Sequence, residues 1–283
     1  MKTDKQSRRQ FLHLAGAGAA ASLTGACRSM GQTSVGSQKT KILFKLGLAS
    51  YTLRKFSLED TLAMTKKVGL KYICFKSFHL ALDSTPAQIA ATVAKVKEAG
   101  LILYGGGVIG MKNEDQVHQA FDYAKAAGMK IIVAAPSPEM LPMINQKVRQ
   151  YDIKVAIHNH GPGDKFFPTP AVGYKHIKDL DKRVGLCHDI GHTKRYGSDP
   201  LAETEQYGDR LHDVHMKDVS SATKNGHCVE MGRGVIDIPE FIRILVKIRY
   251  DGIVSFEYEK DADDPLAGLA ESVGYVRGVM ATV

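Results

Sequence analysis

Eight of the eleven histidines in this 283-residue chain fall between residues 158 and 227, with aspartates and glutamates interspersed. Imidazole exchanges protons near neutral pH, and imidazole nitrogen with carboxylate oxygen forms a donor set for Zn²⁺ or Mn²⁺. The short apolar runs around these residues read as strands, and the two-residue alternation of a strand sorts their side chains. Lys154, Ala156 and His158 share one face, and Gly185, Cys187 and Asp189 share a second. Asp213, His215 and Lys217 share a third, and Ile253, Ser255, Glu257 and Glu259 a fourth. The opposite faces, Leu186 with His188 and Val254 with Phe256 and Tyr258, suit packing under helices. His158, Asp189, His215 and Glu257 therefore converge from successive strands as expected metal ligands. Mn²⁺ or Zn²⁺ is the expected ion, with Mg²⁺ and Co²⁺ as further candidates.

The elements that position them recur as a unit. Apolar runs stand at residues 46–50, 72–75, 101–104, 131–133, 155–157, 184–187, 211–215 and 253–256, with helical stretches between them. Pro86 opens one such stretch, Ile89, Val93 and Val96 mark its core face, and Gly100 ends it. Eight strand–helix units in one domain over residues 45–283 predict an α/β fold, a (β/α)₈ TIM barrel, with its chemistry where the strands end. A doubly wound sheet would announce a nucleotide by a Gly-rich turn after its first strand. Ala49-Ser50-Tyr51-Thr52 is no such turn, and Gly105-Gly106-Gly107 reads as close backbone packing at a strand end. At the mouth, Lys76 is expected to orient a hydroxyl or stabilise an enolate, with a solvated rim charge as the alternative. His79 lies three residues on, and His160 shares the mouth with His158. Arg233, between two glycines, is expected to bind a substrate oxygen. Lys217 is expected at the substrate or in a pair with Asp218.

Ile157-His158-Asn159-His160-Gly161, Cys187-His188-Asp189-Ile190-Gly191-His192, Val214-His215-Met216-Lys217-Asp218, Gly232-Arg233-Gly234-Val235-Ile236-Asp237 and Ser255-Phe256-Glu257 resemble successive signatures of the xylose-isomerase-like barrel family. That family includes sugar isomerases, sugar epimerases and apurinic endonucleases. The resemblance implies a metal held by a Glu, an Asp, a His and a Glu on strands five to eight. Asp189, His215 and Glu257 match, and His158 stands where the family has Glu. It also implies a substrate contact for His192, whose alternative role is to cap its loop. In the family the two glutamates pass a proton across the substrate, so that relay is interrupted here. Glu257 remains as base, and His158 can be ligand or base but not both through one nitrogen. The expected activity is a metal-dependent sugar isomerase or epimerase acting beside a sugar carbonyl. The alternatives are a lyase or hydratase acting on 3-keto-sugars or 3-keto-glycosides, and a non-catalytic carbohydrate-binding barrel. A small carbohydrate is the expected partner in each case.

Ser7-Arg8-Arg9-Gln10-Phe11-Leu12 and the Ala/Gly-rich run behind it resemble a twin-arginine export signal over residues 1–27. A linker over 28–44 would follow, and a periplasmic location is expected. Cys27 leaves a lipid anchor open, although Leu23 lies one position too far upstream for a lipoprotein site. Six basic residues and one acidic residue fall in the first 40, which leaves 32 basic and 29 acidic residues in the rest. A surplus of three gives no case for a nucleic-acid partner. No apolar run in the body reaches the roughly 18–20 residues of a membrane span. The body's three cysteines, with no CxxC spacing, predict no structural disulfide.

Overall fold

The apolar runs form strands because both of their faces are covered: every residue of Val184–Asp189 and of Leu211–Met216 is buried. The computed structural model describes residues 41–283, so the export signal, Cys27 and most of the linker lie outside the described residues. Eight parallel strands close a barrel: β1 (Lys45–Ala49), β2 (Tyr72–Phe75), β3 (Ile102–Met111), β4 (Ile131–Pro136), β5 (Lys154–His158), β6 (Val184–Asp189), β7 (Leu211–Met216) and β10 (Ile253–Phe256), with β10 pairing β1. This is the expected (β/α)₈ architecture. A two-stranded ribbon, β8 (Asp218–Val219) and β9 (Cys228–Val229), follows β7.

Helices cover the outside: α1 (Leu58–Lys67), α2 (Pro86–Glu98), α3 (Glu114–Ala126), α4 (Leu141–Tyr151), α5 (Pro170–Ile177), α6 (Ile190–Tyr196), α7 (Pro200–Gln206), α8 (Ile238–Lys247) and α9 (Leu266–Thr282). Local chemistry starts them. Thr85 and Gln88 form a reciprocal capping box ahead of Pro86, and the Asp237 side chain accepts from the Glu240 N–H. Outward-facing Ile132, Val155, Val214 and Val254 are fully buried under this layer. None of these helices is long and apolar enough to cross a membrane. Cys74, Cys187 and Cys228 are buried free thiols.

One strand differs from expectation. β3 runs on to Met111 and absorbs Gly105-Gly106-Gly107, which the sequence placed at a strand end. A Cβ on Gly105 would lie 2.9 Å from the Ile131 carbonyl oxygen, and one on Gly106 2.9 Å from Met129 Sδ. These glycines let β3 approach its neighbours inside the sheet.

Candidate active site

His158, Asp189 and His215 end or nearly end β5, β6 and β7, and Glu257 directly follows β10. All four are at most 3% exposed. One donor atom from each lies within 4.8 Å of all the others. His158 Nε2 and His215 Nδ1 are 3.0 Å apart, His215 Nδ1 and Glu257 Oε2 3.2 Å, and His158 Nε2 and Asp189 Oδ2 3.6 Å. Neighbouring ligands of an ion with bonds of about 2.0–2.2 Å stand roughly 3–3.6 Å apart. His158 Nε2 and His215 Nδ1 thus meet the Asp189 and Glu257 carboxylates in a buried space, four lone-pair atoms facing one another. A buried polar group is costly unless partnered, so the two-nitrogen, two-oxygen set fits a divalent ion.

The backbone holds these groups at fixed distance. Asn159, absent from the sequence-based site, donates from Nδ2 to the Asp189 carbonyl and accepts from the Asp189 N–H, clamping β5 to β6. Asp189 Oδ1 accepts from the His192 N–H at 2.7 Å and caps α6, so the capping role weighed for His192 belongs to its backbone and to Asp189. His188 faces outward as alternation requires, its ring nitrogens 2.9 Å from Thr204 Oγ1 and Thr193 Oγ1.

Lys217 corrects the sequence reading. Its amine does not pair with Asp218. It lies 2.9 Å from each of Asp189 Oδ2, Glu257 Oε2 and Glu259 Oε1. Asp218 instead accepts from the N–H groups of Val219, Gly232, Gly234 and Ile236, folding the loop ahead of α8. Burial would raise the Asp189 and Glu257 carboxyls. For Asp189, His192 and Lys217 overcome that, and for Glu257, Lys217 and His215 do so, holding both well below the usual carboxylate range. Burial would lower Lys217, and the three carboxylates hold it well above the ordinary lysine value.

Above the ligands lies a cavity of about 190 Å³, lined by Tyr51, Lys76, Val108, His158, His160, His192, Glu257 and Glu259. The structure thus brings Lys76, His160 and His192 to the ligands. The His158 and His160 ring centroids are 4.4 Å apart, and Lys76 Nζ is 5.2 Å from the centre of the Tyr51 ring. Burial pushes His192 down to about 4, only partly offset by Asp189, so its imidazole is neutral at neutral pH.

Two expected substrate residues are elsewhere. His79 is buried, with Nδ1 2.9 Å from Ser50 Oγ and Nε2 2.9 Å from Thr61 Oγ1, so both ring nitrogens serve the fold. Arg233 is exposed and pairs with Glu271, its second nitrogen 2.7 Å from Oε2. Glu259 also lines the cavity, on the inward face that its alternation with Glu257 implies. Tyr51 and Val108 carried no sequence signal of their own.

The xylose isomerase-like TIM barrel family matches residues 49–279. Inosose dehydratase from Lacticaseibacillus casei is 26% identical over 136 residues, covering 43% of this chain and 45% of that protein. The chain thus matches under half the length of that relative. The structure of the IOLI protein with a bound zinc atom has a TM-score of 0.71 at 17% identity, covering 84% of this chain and 99% of that one. That of 3-keto-D-glucoside 4-epimerase from E. coli has a TM-score of 0.68 at 18% identity, covering 83% and 99%. The closed eight-stranded barrel and the extent of the family match place the chain in one group: it belongs to the xylose isomerase-like TIM barrel family.

Proposed function

We propose that this barrel removes a proton from the carbon beside the carbonyl of a sugar or cyclitol ketone and expels a group from the next carbon, as a lyase or dehydratase. His158, Asp189, His215 and Glu257 would hold a divalent ion. One observation carries the reading: the two carboxylates lining the cavity, Glu257 and Glu259, are tied to a single amine, Lys217, and its remaining polar lining is imidazole, Lys76 and the Tyr51 phenol. A bound ion would polarise the substrate carbonyl and acidify the neighbouring C–H. Elimination needs one base for that proton and one acid for the departing oxygen. Ionised Glu257 is the base, with neutral His192 beside it. Lys76 and His160, both lining the cavity, donate to the departing oxygen. The partial match to inosose dehydratases supports this reading.

A sugar epimerase or isomerase is the second reading. It is favoured by His160 and His192, whose ring centroids are 5.9 Å apart and which both line the cavity, because an imidazole can return the proton that Glu257 removes. NMR of metal-loaded enzyme in D₂O with an inosose and a series of 3-keto-glucosides separates the two. Loss of a group supports the lyase, and deuterium on carbon with no loss supports the epimerase. Neither event with any of these ketones overturns the shared proton-abstraction step.

We also propose export by the twin-arginine route, supported by Arg8-Arg9 and the weakly apolar run after them, with an unphosphorylated substrate as the consequence. Replacing both arginines by lysine is expected to strand the chain in the cytoplasm. An unchanged periplasmic yield on cell fractionation would reject the route.

A further inference from the structure

A second cavity, of about 550 Å³, opens beside the catalytic one on the same end of the barrel. Lys112, Pro136 and Ser137 bring the ends of β3 and β4 to it, and Lys165 and Phe166 come from the segment after β5. His160 lines both cavities. We infer that this cavity holds the second ring of a two-ring substrate, a glycoside whose reacting ring sits over His158 and Glu257. The placement of the reacting ring rests on the proton-abstraction reading above.

Size, chemistry and preorganisation support it. Small-molecule pockets run to about 300–1,000 Å³. The catalytic cavity, at about 190 Å³, falls short of that range alone, and the adjoining one lies within it. Phe166, which lines the cavity, is 43% exposed, so its ring is accessible to a ligand there. Its ring offers a face to the C–H side of a pyranose. Lys112, Lys165 and Ser137 line the same cavity and can donate to sugar hydroxyls. The acidic lining residue, Asp164, is engaged: Oδ1 accepts from the N–H groups of Phe166 and Phe167 at 2.9 and 3.0 Å, and Oδ2 lies 3.5 Å from His160 Nδ1.

The segment from Asn159 to Thr169 is longer than the usual βα connection of about 2–6 residues. It is nevertheless fixed. The His160 N–H donates to the Phe167 carbonyl and the Gly161 N–H to the Pro168 carbonyl. Gly161 has φ +70°, and a Cβ there would lie 2.5 Å from the His192 carbonyl oxygen. Only glycine lets this loop rest directly on the catalytic wall. A surface ordered before binding loses little entropy on binding, which is what a subsite requires.

The test is calorimetric titration of the zinc-loaded full chain with glucose and with cellobiose, sucrose, trehalose and 4-nitrophenyl β-glucoside. At least one two-ring ligand is expected to bind tenfold or more tightly than glucose. Phe166→Ala is expected to collapse that ratio, with circular dichroism and Tm checking that the exposed ring's removal leaves the fold intact. A Lys165→Ala variant reads the donor contribution separately. Equal affinity for one- and two-ring ligands, or a ratio that survives both variants, overturns the subsite. A preserved ratio with no turnover of any ketone would sink the proposed reaction and leave the subsite standing.

Discussion

Two polar layers lie inside this barrel, one strand step apart on β7, and they do opposite things with the same chemistry. In the lower layer the Tyr104 hydroxyl is 2.6 Å from Ser255 Oγ and donates to Asp213 Oδ2 at 3.1 Å, while Asp213 Oδ1 accepts from the Val214 N–H. Burial pushes Asp213 up to about 7, against the downward pull of His215 and Tyr104. In the upper layer His158, Asp189, His215 and Glu257 aim acceptors at one another. Both layers are inward, polar and buried, so neither burial nor alternation separates structure from function. The kind of partner does. The lower layer is closed by hydroxyls and an N–H, whereas in the upper layer the carboxylates answer to the charged Lys217 amine and two imidazole nitrogens face each other at 3.0 Å.

Substitutions in the upper layer should have the largest effects. Glu257→Gln keeps the shape but neither accepts a proton well nor ligates strongly, so turnover is expected to fall by about 10²–10⁴-fold. His215→Ala and Asp189→Asn should lose metal by elemental analysis, and Asp189→Asn should also lower Tm because it takes one of the three carboxylates from buried Lys217. Full metal content in both variants would show that the ligand set is misassigned.

Lys217→Met comes next. It leaves Asp189, Glu257 and Glu259 without their shared cation, and breaking a buried ion pair costs about 3–5 kcal/mol. Chemical denaturation should show most of that loss in metal-free protein and less after zinc is added, since zinc restores positive charge. Equal losses in the two states would mean that Lys217 and the ion do not share the carboxylates.

His212 is a control outside both layers, on the outer face of β7 with Nε2 2.8 Å from the Lys182 carbonyl. Burial pushes it down to about 4. Between pH 6.5 and 4 the unfolded chain holds a proton that the folded chain does not, so stability falls as pH falls through that window. The full loss is about 3 kcal/mol. His212→Gln should reduce that slope in urea titrations, His192 keeping its share, and leave metal content alone. An unchanged slope would reject His212 as its source.

The smallest effect is expected from Tyr104→Phe, which removes a donor from the lower layer at a cost of about 1–3 kcal/mol. Metal content should be unaffected. Loss of metal in this variant would show that the layers act as one.

The strands and the convergence of four residues were legible because both follow from periodicity: runs of apolar residues mark buried strands, and a period of two aims His158, Asp189, His215 and Glu257 inward. The misreadings have another character. His79 is claimed by Ser50 and Thr61, Lys217 by Glu257 and Glu259, and Arg233 by Glu271. Each outcome depends on which distant partner reaches the side chain first, and no local spacing encodes that. Gly105 to Gly107 is similar, since the reason for small residues there is the carbonyl of Ile131 on the adjacent strand.

Asp189 has one carboxylate but two employers. Oδ1 holds the N–H of His192 at the start of α6, while Oδ2 faces the ligand cluster. An amide cannot serve both, since only one of its two heads accepts. Substituting Asp189 therefore disturbs the aim of a cavity-lining imidazole together with the candidate ligand cluster. Kinetic losses in Asp189 and His192 variants should then be non-additive, and a double-mutant cycle between them would return a large coupling term. The activity lost in an Asp189 variant alone will overstate what the ion itself contributes.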